Sequence, residues 1–284
     1  MIFIGKKVLE LYLCSFASPD LKRSASRFEK QSKKMNVYKK IKIYGLNDLS
    51  DKKKTQIKSF KKKRLFGFAS WKPEIILDFI EKIPNNSILQ YSDVGCHFNE
   101  NGKERLKDYV NITNKNEILA FQYKMPNFEF KKKLKFQIYF ENQYTKSDLF
   151  KFFNLEINSP IAASEQIWSG TMFFKNNLKT KNFLKKWLDV CNVNQLIDDS
   201  PSKEKNHDGF VEHRHDQSAF SILCKLNNVS LLSASECEWA EDENNRYWEH
   251  LKNFPILAKR DKRYNIFKRF FFRQSKNFKR ILNL

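Results

Sequence analysis

The chain has 284 residues and a formal net charge of +21, and 41% of its residues are hydrophobic and 15% aromatic. This composition excludes an intrinsically disordered chain and suits one large α/β domain, with or without an appendage. The positive charge favours polyanionic partners, namely nucleic acid, anionic lipid surfaces or phosphorylated ligands.

The cysteine pattern and the absence of long apolar runs indicate the compartment. The five cysteines include no C-x-x-C pair, which indicates reduced thiols rather than a disulfide framework or a zinc ribbon. We find no signal peptide and no apolar run of the length that a membrane span needs. We therefore expect a cytoplasmic protein.

The first predicted elements form a βαβ unit. A strand over 9–16, a strongly basic helix over 21–36 and a strand over 40–44 follow each other. This spacing predicts a sheet that is at least partly parallel. A second charged helix is predicted over 49–63, and most of its lysines suit a solvated helical face.

The next segment begins at Arg64 and reads R-L-F-G-F-A-S-W-K-P. Gly67 permits a tight bend, and Pro73 is well placed to begin a helix over 74–82. Arg64, Trp71 and Lys72 at the mouth of a sheet could hold a phosphate and a sugar or base. The alternative is a set of stacked core aromatic residues.

A short apolar strand over 88–92 ends at Asp93, and Gly95 follows two residues later. Open α/β sheets bind ligands beyond the carboxyl ends of their strands, so Asp93 is a candidate ligand contact. The alternative is an ordinary Asp-Gly turn.

The middle of the chain continues the alternation of helices and strands. Gly170 lies inside one predicted strand, where a glycine often marks the close approach of a ligand or of another backbone. Residues 124–145 are predicted to form a loop or hairpin over the site. The remaining predicted elements are a helix at 103–110, a strand at 117–123, a helix at 147–154, a strand at 167–175 and a helix at 178–192.

Two segments near the end carry unusual side chains. Residues 210–218 read F-V-E-H-R-H-D-Q-S before an apolar helix over 219–226 and a strand over 229–232. Residues 259–284 carry ten Lys or Arg and one Asp. Their phenylalanines fall on one helical stripe, which predicts a basic amphipathic helix on an anionic membrane surface. A helix docked on the domain is the alternative.

No Walker phosphate loop, G-x-G-x-x-G, G-x-S-x-G or H-E-x-x-H motif occurs. P-loop NTPases, ordinary dinucleotide-binding dehydrogenases, α/β-hydrolases and zincins are therefore disfavoured. The remaining candidates for chemistry are a carboxylate at a strand end, the Arg/Trp/Lys cluster before it and the acid/imidazole/Arg cluster far downstream.

Four motifs in this order resemble bacterial GT-A-type glycosyltransferases of surface-polysaccharide (capsule or lipopolysaccharide) biosynthesis. The resemblance covers roughly residues 8–260. The motifs are R-x-x-G-F-x-x-W-K-P at 64–73, D-V-G-C-H-F-N at 93–99 with R-L-x-x-Y at 105–109, W-S-G-T-M-F-F at 168–174, and E-H-R-H-D-Q-S-A-F-S at 212–221.

The resemblance implies an α/β fold with a GT-A-like, mixed and mostly parallel central sheet flanked by helices. We expect this domain over 1–258 and the basic amphipathic segment over 259–284. The implied activity moves a sugar from a nucleotide-sugar donor to a glycan or lipid-linked acceptor, at the inner face of the cell membrane.

Roles for individual residues follow from the resemblance and from their chemistry. Asp216 is the candidate base that takes the proton of the acceptor hydroxyl, although an Asp here could also cap the following helix. The predicted donor and diphosphate contacts are Arg64, Trp71, Lys72, Asp93 and Gly95. The predicted acceptor or sugar pocket consists of Trp168, Ser169, Gly170, Arg214 and Gln217.

The predicted metal site is incomplete. GT-A enzymes usually hold Mn²⁺ or Mg²⁺ with Asp-x-Asp, and here Gly95 replaces the second Asp. Asp93 with His213 or His215 could complete a cation site, or Lys72 and Arg64 could neutralise the leaving diphosphate instead. For both histidines a structural role is the alternative, and His215 is the one we assign with Asp93.

Two other functions fit parts of the sequence. A nucleic-acid-binding protein would explain the +21 charge and the interleaved Phe and Lys residues, although no known nucleic-acid motif occurs. A degenerate transferase that binds a glycan without turnover would explain the missing second Asp.

Overall fold

The computed structural model describes residues 2–4, 7–60, 64–126, 133–243 and 245–259. Its strands, in chain order, are β1 (Ile2–Ile4), β2 (Lys7–Leu9), β3 (Leu11–Phe16), β4 (Tyr38–Tyr44), β5 (Ile88–Ser92), β6 (His97–Phe98), β7 (Ile118–Gln122), β8 (Ile167–Lys175), β9 (Ser230–Ser233), β10 (Ala240–Asp242), β11 (Asn245–Tyr247) and β12 (Ile256–Leu257). Its helices are α1 (Lys22–Lys34), α2 (Asp51–Ser59), α3 (Leu65–Phe68), α4 (Lys72–Ile80), α5 (Lys103–Asn116), α6 (Glu141–Tyr144), α7 (Ser147–Phe152), α8 (Leu178–Cys191), α9 (Asn194–Ile197) and α10 (Asp216–Leu226).

Six strands form the central sheet in the order β4-β3-β5-β8-β7-β9. The pairs β3–β4, β3–β5 and β7–β9 are parallel, whereas β8 runs antiparallel to both of its neighbours. The carboxyl ends of β3, β5, β7 and β9 therefore meet the start of β8 at one edge of the sheet. The predicted mixed, mostly parallel α/β sheet flanked by helices is confirmed.

Helices cover both faces of the sheet. For this reason every residue of β3 and β5 is buried, and so is all of β8 except its last residue. One core packs α4, α8 and α10 against the sheet through Ile76, Trp187 and Phe220. The other core packs α1 and α5 against the opposite face through Phe28 and Tyr109. The packed sheet thus positions the loops that follow its strands, where functional residues are commonly found.

Most predicted elements are confirmed with shifted ends. The helix predicted over 219–226 begins three residues earlier, at Asp216. In the described part of 124–145 the chain forms α6 and two isolated strand bridges, Lys135 with Glu241 and Phe140 with Glu165. The predicted basic segment at 259–284 lies outside the described residues, apart from Lys259, and the domain boundary at 258 stays a prediction. None of the helices described is long and apolar enough to cross a membrane.

Candidate active site

A cleft of about 500 Å³ opens at the edge of the sheet where β3, β5 and β7 end and β8 begins. Side chains from these four strand ends and from α4 and α10 line it. The cleft brings together all the residues that the sequence assigned to a site, although their roles stay predictions: Arg64, Trp71, Lys72, Asp93, Gly95, Trp168, Ser169, Gly170, Arg214, His215, Asp216 and Gln217.

A buried ion pair lies at the centre of the cleft. The Lys72 ammonium is 2.7 Å from Asp216 Oδ2 and 3.5 Å from Asp93 Oδ1. Lys72 also donates to the carbonyl and hydroxyl oxygens of Ser169, at 3.0 and 3.1 Å. The Ser169 hydroxyl in turn donates to Asp216 Oδ2 at 2.9 Å. One lysine therefore links the strand end at β5 to the first residue of α10.

Exposure separates the two carboxylates. The side chains of Lys72 and Asp216 are only 3% and 4% exposed, whereas that of Asp93 is 38% exposed. Asp93 is thus the carboxylate that meets solvent or a ligand, and Asp216 lies behind it in a nearly dry environment.

Different effects control the two pKa values of the buried pair. At Lys72 burial acts to lower the pKa, but the negative charges of Asp216 and Asp93 outweigh it and the pKa is raised above its ordinary value. At Asp216 burial raises the pKa and is opposed by Lys72. The result is a charged lysine next to a carboxylate that is more basic than a free aspartate.

Asp216 does not cap α10 through its side chain. It is the first residue of the helix, His215 holds the capping position, and no side chain caps this helix end. The Asp216 carboxylate instead faces Lys72 and Ser169. The capping alternative considered from the sequence is therefore wrong.

The turn after β5 is held in place from both sides. The Tyr91 hydroxyl donates to Asp93 Oδ1 at 2.7 Å, which orients the carboxylate. The Arg27 guanidinium, on α1, donates to three successive carbonyl oxygens, those of Val94, Gly95 and Cys96, at 2.9, 3.4 and 2.7 Å. Arg27 therefore positions the backbone on which Asp93 and Gly95 lie. No motif in the sequence predicts this long-range contact.

Gly170 is required by close packing inside β8. A Cβ atom at this position would lie 2.1 Å from the indole of Trp168. The Trp168 ring therefore lies over the glycine, and it is only 4% exposed. The close neighbour at this strand-interior glycine is the side chain of Trp168, whereas the sequence indicated a ligand or another backbone.

Leu65 to Ala69 form a left-handed turn at the rim of the cleft. All five residues have positive φ, from 48° at Leu65 to 82° at Gly67. The Arg64 carbonyl accepts from the amide of Phe68 at 2.9 Å, which closes the turn. Left-handed backbone costs L-residues roughly 1–2 kcal/mol each, so this turn is stabilised by its packing. The tight bend predicted at Gly67 extends over four other residues.

This turn presents Arg64 and Trp71 to the cleft in different ways. The Arg64 guanidinium is 2.8 Å from Glu212 and 3.7 Å from Asp199, and its side chain is 44% exposed. Trp71 is 6% exposed and stacks on Phe16 with ring centres 3.9 Å apart. Trp71 thus belongs mainly to the core, while Arg64 reaches the open part of the cleft.

Both histidines before α10 make structural contacts. His213 Nε2 lies 2.9 Å from the carbonyl oxygen of Leu196, and His215 Nδ1 lies 2.8 Å from that of Ile197. Burial lowers the pKa of His213 well below its ordinary value and that of His215 to about 4. Both rings are therefore neutral at pH 7 and tie α9 to the active-site segment.

These residues fit a divalent cation poorly. Asp93 offers one accessible carboxylate and Asp216 is already paired with Lys72, while His215 uses Nδ1 on the Ile197 carbonyl and has its Nε2 3.7 Å from Asp199. Within the described part of the chain, no three His, Cys, Asp or Glu side chains form a group that could hold a metal ion. The cation site assigned to Asp93 and His215 stays a prediction, and we route no step through a metal.

Several residues that line the cleft were not found from the sequence. Tyr123 and Tyr139 form an edge-to-face pair with ring centres 4.7 Å apart. Trp239 and Arg246 come from the segment around the hairpin β10–β11. Their sequence neighbourhood carries no motif, and only the loop or hairpin predicted over residues 124–145 pointed to this wall.

The sequence matches no protein-family model and no curated protein. Solved structures with a similar fold include a glycosyltransferase involved in the glycosylation of the major capsid of PBCV-1, with a TM-score of 0.47 and 10% identity over 89% of this chain and 96% of that chain. Mouse xyloside xylosyltransferase 1 gives 0.41 and 10%, over 81% and 87% of the two chains. Galactosyltransferase LgtC, in complex with donor and acceptor sugar analogues, gives 0.41 and 11%, over 80% and 74%.

Proposed function

We propose that the protein is a glycosyltransferase that moves a sugar from a nucleotide-sugar donor to a hydroxyl group of a glycan or lipid-linked acceptor. The observation that carries this proposal is the cleft at the carboxyl ends of β3 and β5, where a buried Lys72–Asp216 pair lies behind the accessible Asp93. Such a strand-end cleft is where open α/β sheets bind nucleotides. The four sequence motifs, which all reach this cleft, give the same indication.

The cleft has the parts that the transfer requires. The acceptor oxygen bonds to the anomeric carbon of the donor sugar, the bond from that carbon to the diphosphate oxygen breaks, and its electron pair leaves with the nucleoside diphosphate. Asp216 takes the proton of the acceptor hydroxyl. Its Oδ2 is engaged by Lys72 and Ser169, and its burial raises its pKa toward the range that suits a general base.

Positive side chains compensate the charge that develops on the leaving diphosphate. Lys72 is fixed by its hydrogen bonds and lies in a poorly solvated position, where a charge acts more strongly than in water. Arg64 supplies a second, more exposed charge at the open side of the cleft. We therefore propose a transfer in which Lys72, rather than a divalent cation, neutralises the diphosphate.

The proposal also includes the biosynthetic pathway and the cellular location of the protein. Synthesis of a surface polysaccharide such as capsule or lipopolysaccharide rests on the resemblance of the motifs. Attachment to the inner face of the cell membrane rests on the composition of residues 259–284. The acceptor would be found at the same surface.

Release of free nucleoside diphosphate from a panel of nucleotide sugars tests the proposal. We expect turnover by the wild type with at least one donor, persisting in EDTA. Asp216→Ala should lower the rate by about 10²–10⁴-fold because the general base is lost. Asp93→Ala should lower it at least tenfold because the cleft loses its accessible carboxylate.

Asp148→Ala is the matched control, since Asp148 is also buried but bonds to Gln195 and to backbone amides outside the cleft. This variant should keep the wild-type rate. Turnover by folded Asp216→Ala at the wild-type rate would remove Asp216 from the mechanism. A wild-type rate that disappears in EDTA and returns with Mn²⁺ would contradict the role of Lys72.

A further inference from the structure

Two arginines that line the cleft lie against aromatic rings. The Arg214 guanidinium carbon lies 3.9 Å from the ring centre of Tyr139 and 4.3 Å from that of Tyr144. The Arg246 guanidinium carbon lies 4.5 Å from the ring of Trp239. Both arginines line the cleft. Stacking fixes the plane of each guanidinium without using its N–H groups.

The hydrogen-bond donors of Arg214 remain available. It makes no hydrogen bond through its guanidinium to any residue that the structure describes, and its buried Nε has no partner there. The nearest acid is Glu212, 3.7 Å from that Nε, and Glu212 is already paired with Arg64 at 2.8 Å. By contrast, the guanidinium groups of Arg27 and Arg105 donate hydrogen bonds to carbonyl and carboxylate oxygens, respectively.

Arg246 has the same character. Within the described residues it forms no side-chain hydrogen bond or ion pair, and it lies exposed on the hairpin β10–β11 beside Trp239. Two guanidinium groups with free donors, each held against an aromatic ring and each lining the cleft, suit an anionic group, since such a fork matches a carboxylate or a phosphate. A neutral sugar offers hydroxyl oxygens to single N–H groups but no pair of charged oxygens that matches the fork.

The order of the strands relates the aromatic partners of these arginines to the β7–β9 side of the cleft. Ser18 and Ser24 line the cleft beyond β3, near the outer edge of the sheet, and Asp93 follows β5. Arg214 packs on Tyr139, whose neighbour Tyr123 directly follows β7. Trp239 follows β9, which is the other edge of the sheet. The aromatic partners of the two arginines therefore belong to the β7–β9 side of the sheet, while Glu212 connects Arg214 to Arg64.

We propose that Arg214 and Arg246 bind a negatively charged group of the acceptor, a phosphate or a carboxylate, so that the protein transfers sugar to an anionic acceptor. This inference rests on the proposed function, because it assumes that the nucleotide occupies the β3 side. The phosphate would belong to a lipid-linked acceptor and the carboxylate to an acidic sugar. Both present the oxygen pairs that a guanidinium fork recognises.

Transfer kinetics with three acceptors of equal length test this inference: one with a lipid-linked diphosphate, one with a uronic acid and one neutral. We expect the wild type to use one anionic acceptor at least tenfold better than the neutral one, by kcat/KM. Arg214→Met and Arg246→Met should each raise the KM for that acceptor about tenfold and change the donor KM by less than twofold. The better of the two anionic acceptors identifies the source of the charge.

Lys186→Met is the control for charge, since Lys186 is an exposed lysine on α8. It should keep all the kinetic constants of the wild type. Arg214→Lys keeps the charge without the fork and should fall between the wild type and Arg214→Met. Equal use of the neutral acceptor, or a rise in the donor KM instead of the acceptor KM, would overturn the inference.

A binding measurement separates this inference from the proposed function. Calorimetry without any donor should detect an isoprenyl diphosphate or a glucuronic-acid disaccharide on the wild type, with at least tenfold weaker binding to the folded Arg214→Met/Arg246→Met double variant. If this binding occurs while no nucleotide sugar is turned over, the transferase proposal fails and the anion site stands. If the wild type binds neither probe, or the double variant binds as tightly, the anion site is wrong.

Discussion

The residue next to the proposed base makes the folded state sensitive to acid. His215 is only 1% exposed, its Nδ1 contacts the Ile197 carbonyl, and its backbone φ is +56°. Burial lowers its pKa from an ordinary 6.5 to about 4. Because the folded-state pKa is the lower one, the unfolded chain binds a proton more readily between pH 6.5 and 4, and stability is lost as the pH falls through this range.

We expect the free energy of unfolding to fall by about 2–3 kcal/mol from this histidine alone when the pH is lowered from 7.5 to 4.5. His215→Asn removes the titrating ring, keeps a donor for the Ile197 carbonyl, and uses a residue that tolerates positive φ. Urea unfolding of both proteins at the two pH values measures the difference. An equal loss of stability in the wild type and in His215→Asn would contradict this assignment.

At the scale of the element, the left-handed turn at 65–69 carries the rim of the active site. The turn consists of α3 and its C-cap residue Ala69, and it lies between Arg64 and Trp71, which both line the cleft. Its only glycine, Gly67, has φ +82° and no space for a Cβ atom, which would lie 2.7 Å from Ile57 Cγ1. Ala69 has φ +54°, a left-handed backbone conformation that is energetically unfavourable for an L-residue.

Opposite substitutions in this turn should have opposite effects on stability. Gly67→Ala should destabilise the protein by more than about 1 kcal/mol, because it adds both backbone strain and the clash with Ile57. Ala69→Gly should be neutral or stabilise the protein by up to about 1 kcal/mol. Glycine relieves backbone strain in the folded state, and the higher entropy that it gives the unfolded chain opposes this gain. Urea unfolding compares them. Equal stability of Gly67→Ala and the wild type would show that the turn is not left-handed.

The sequence predicts the regular strands and helices better than it predicts the left-handed turn. The strand before Asp93 and the helix that begins near Pro73 were predicted because apolar runs and a proline act locally. The left-handed turn was not, since four of its five residues, Leu65, Phe66, Phe68 and Ala69, ordinarily avoid positive φ and only tertiary packing holds them there. The Arg27 clamp was missed for a related reason, because its partners lie 67 to 69 residues away.

At the scale of the whole molecule, the order of the strands determines how the cleft is divided. The first βαβ unit predicted the parallel pair β3–β4, but no local pattern predicted that the antiparallel β8 would lie between β5 and β7. This strand brings Ser169 and Gly170 to the centre of the cleft and separates a β3 side from a β9 side. The proposed donor and acceptor positions both depend on that arrangement.

A crystal structure with a bound nucleoside diphosphate tests the central claim most directly. We predict the diphosphate in the cleft beside Lys72 and Asp93, with the nucleoside on the β3 side near Ser18 and Ser24. A nucleotide found elsewhere, such as in the second cavity of about 520 Å³ beside α2 and α4, would contradict the account. A nucleotide on the β9 side, in contact with Arg214 and Arg246, would contradict the division of the cleft.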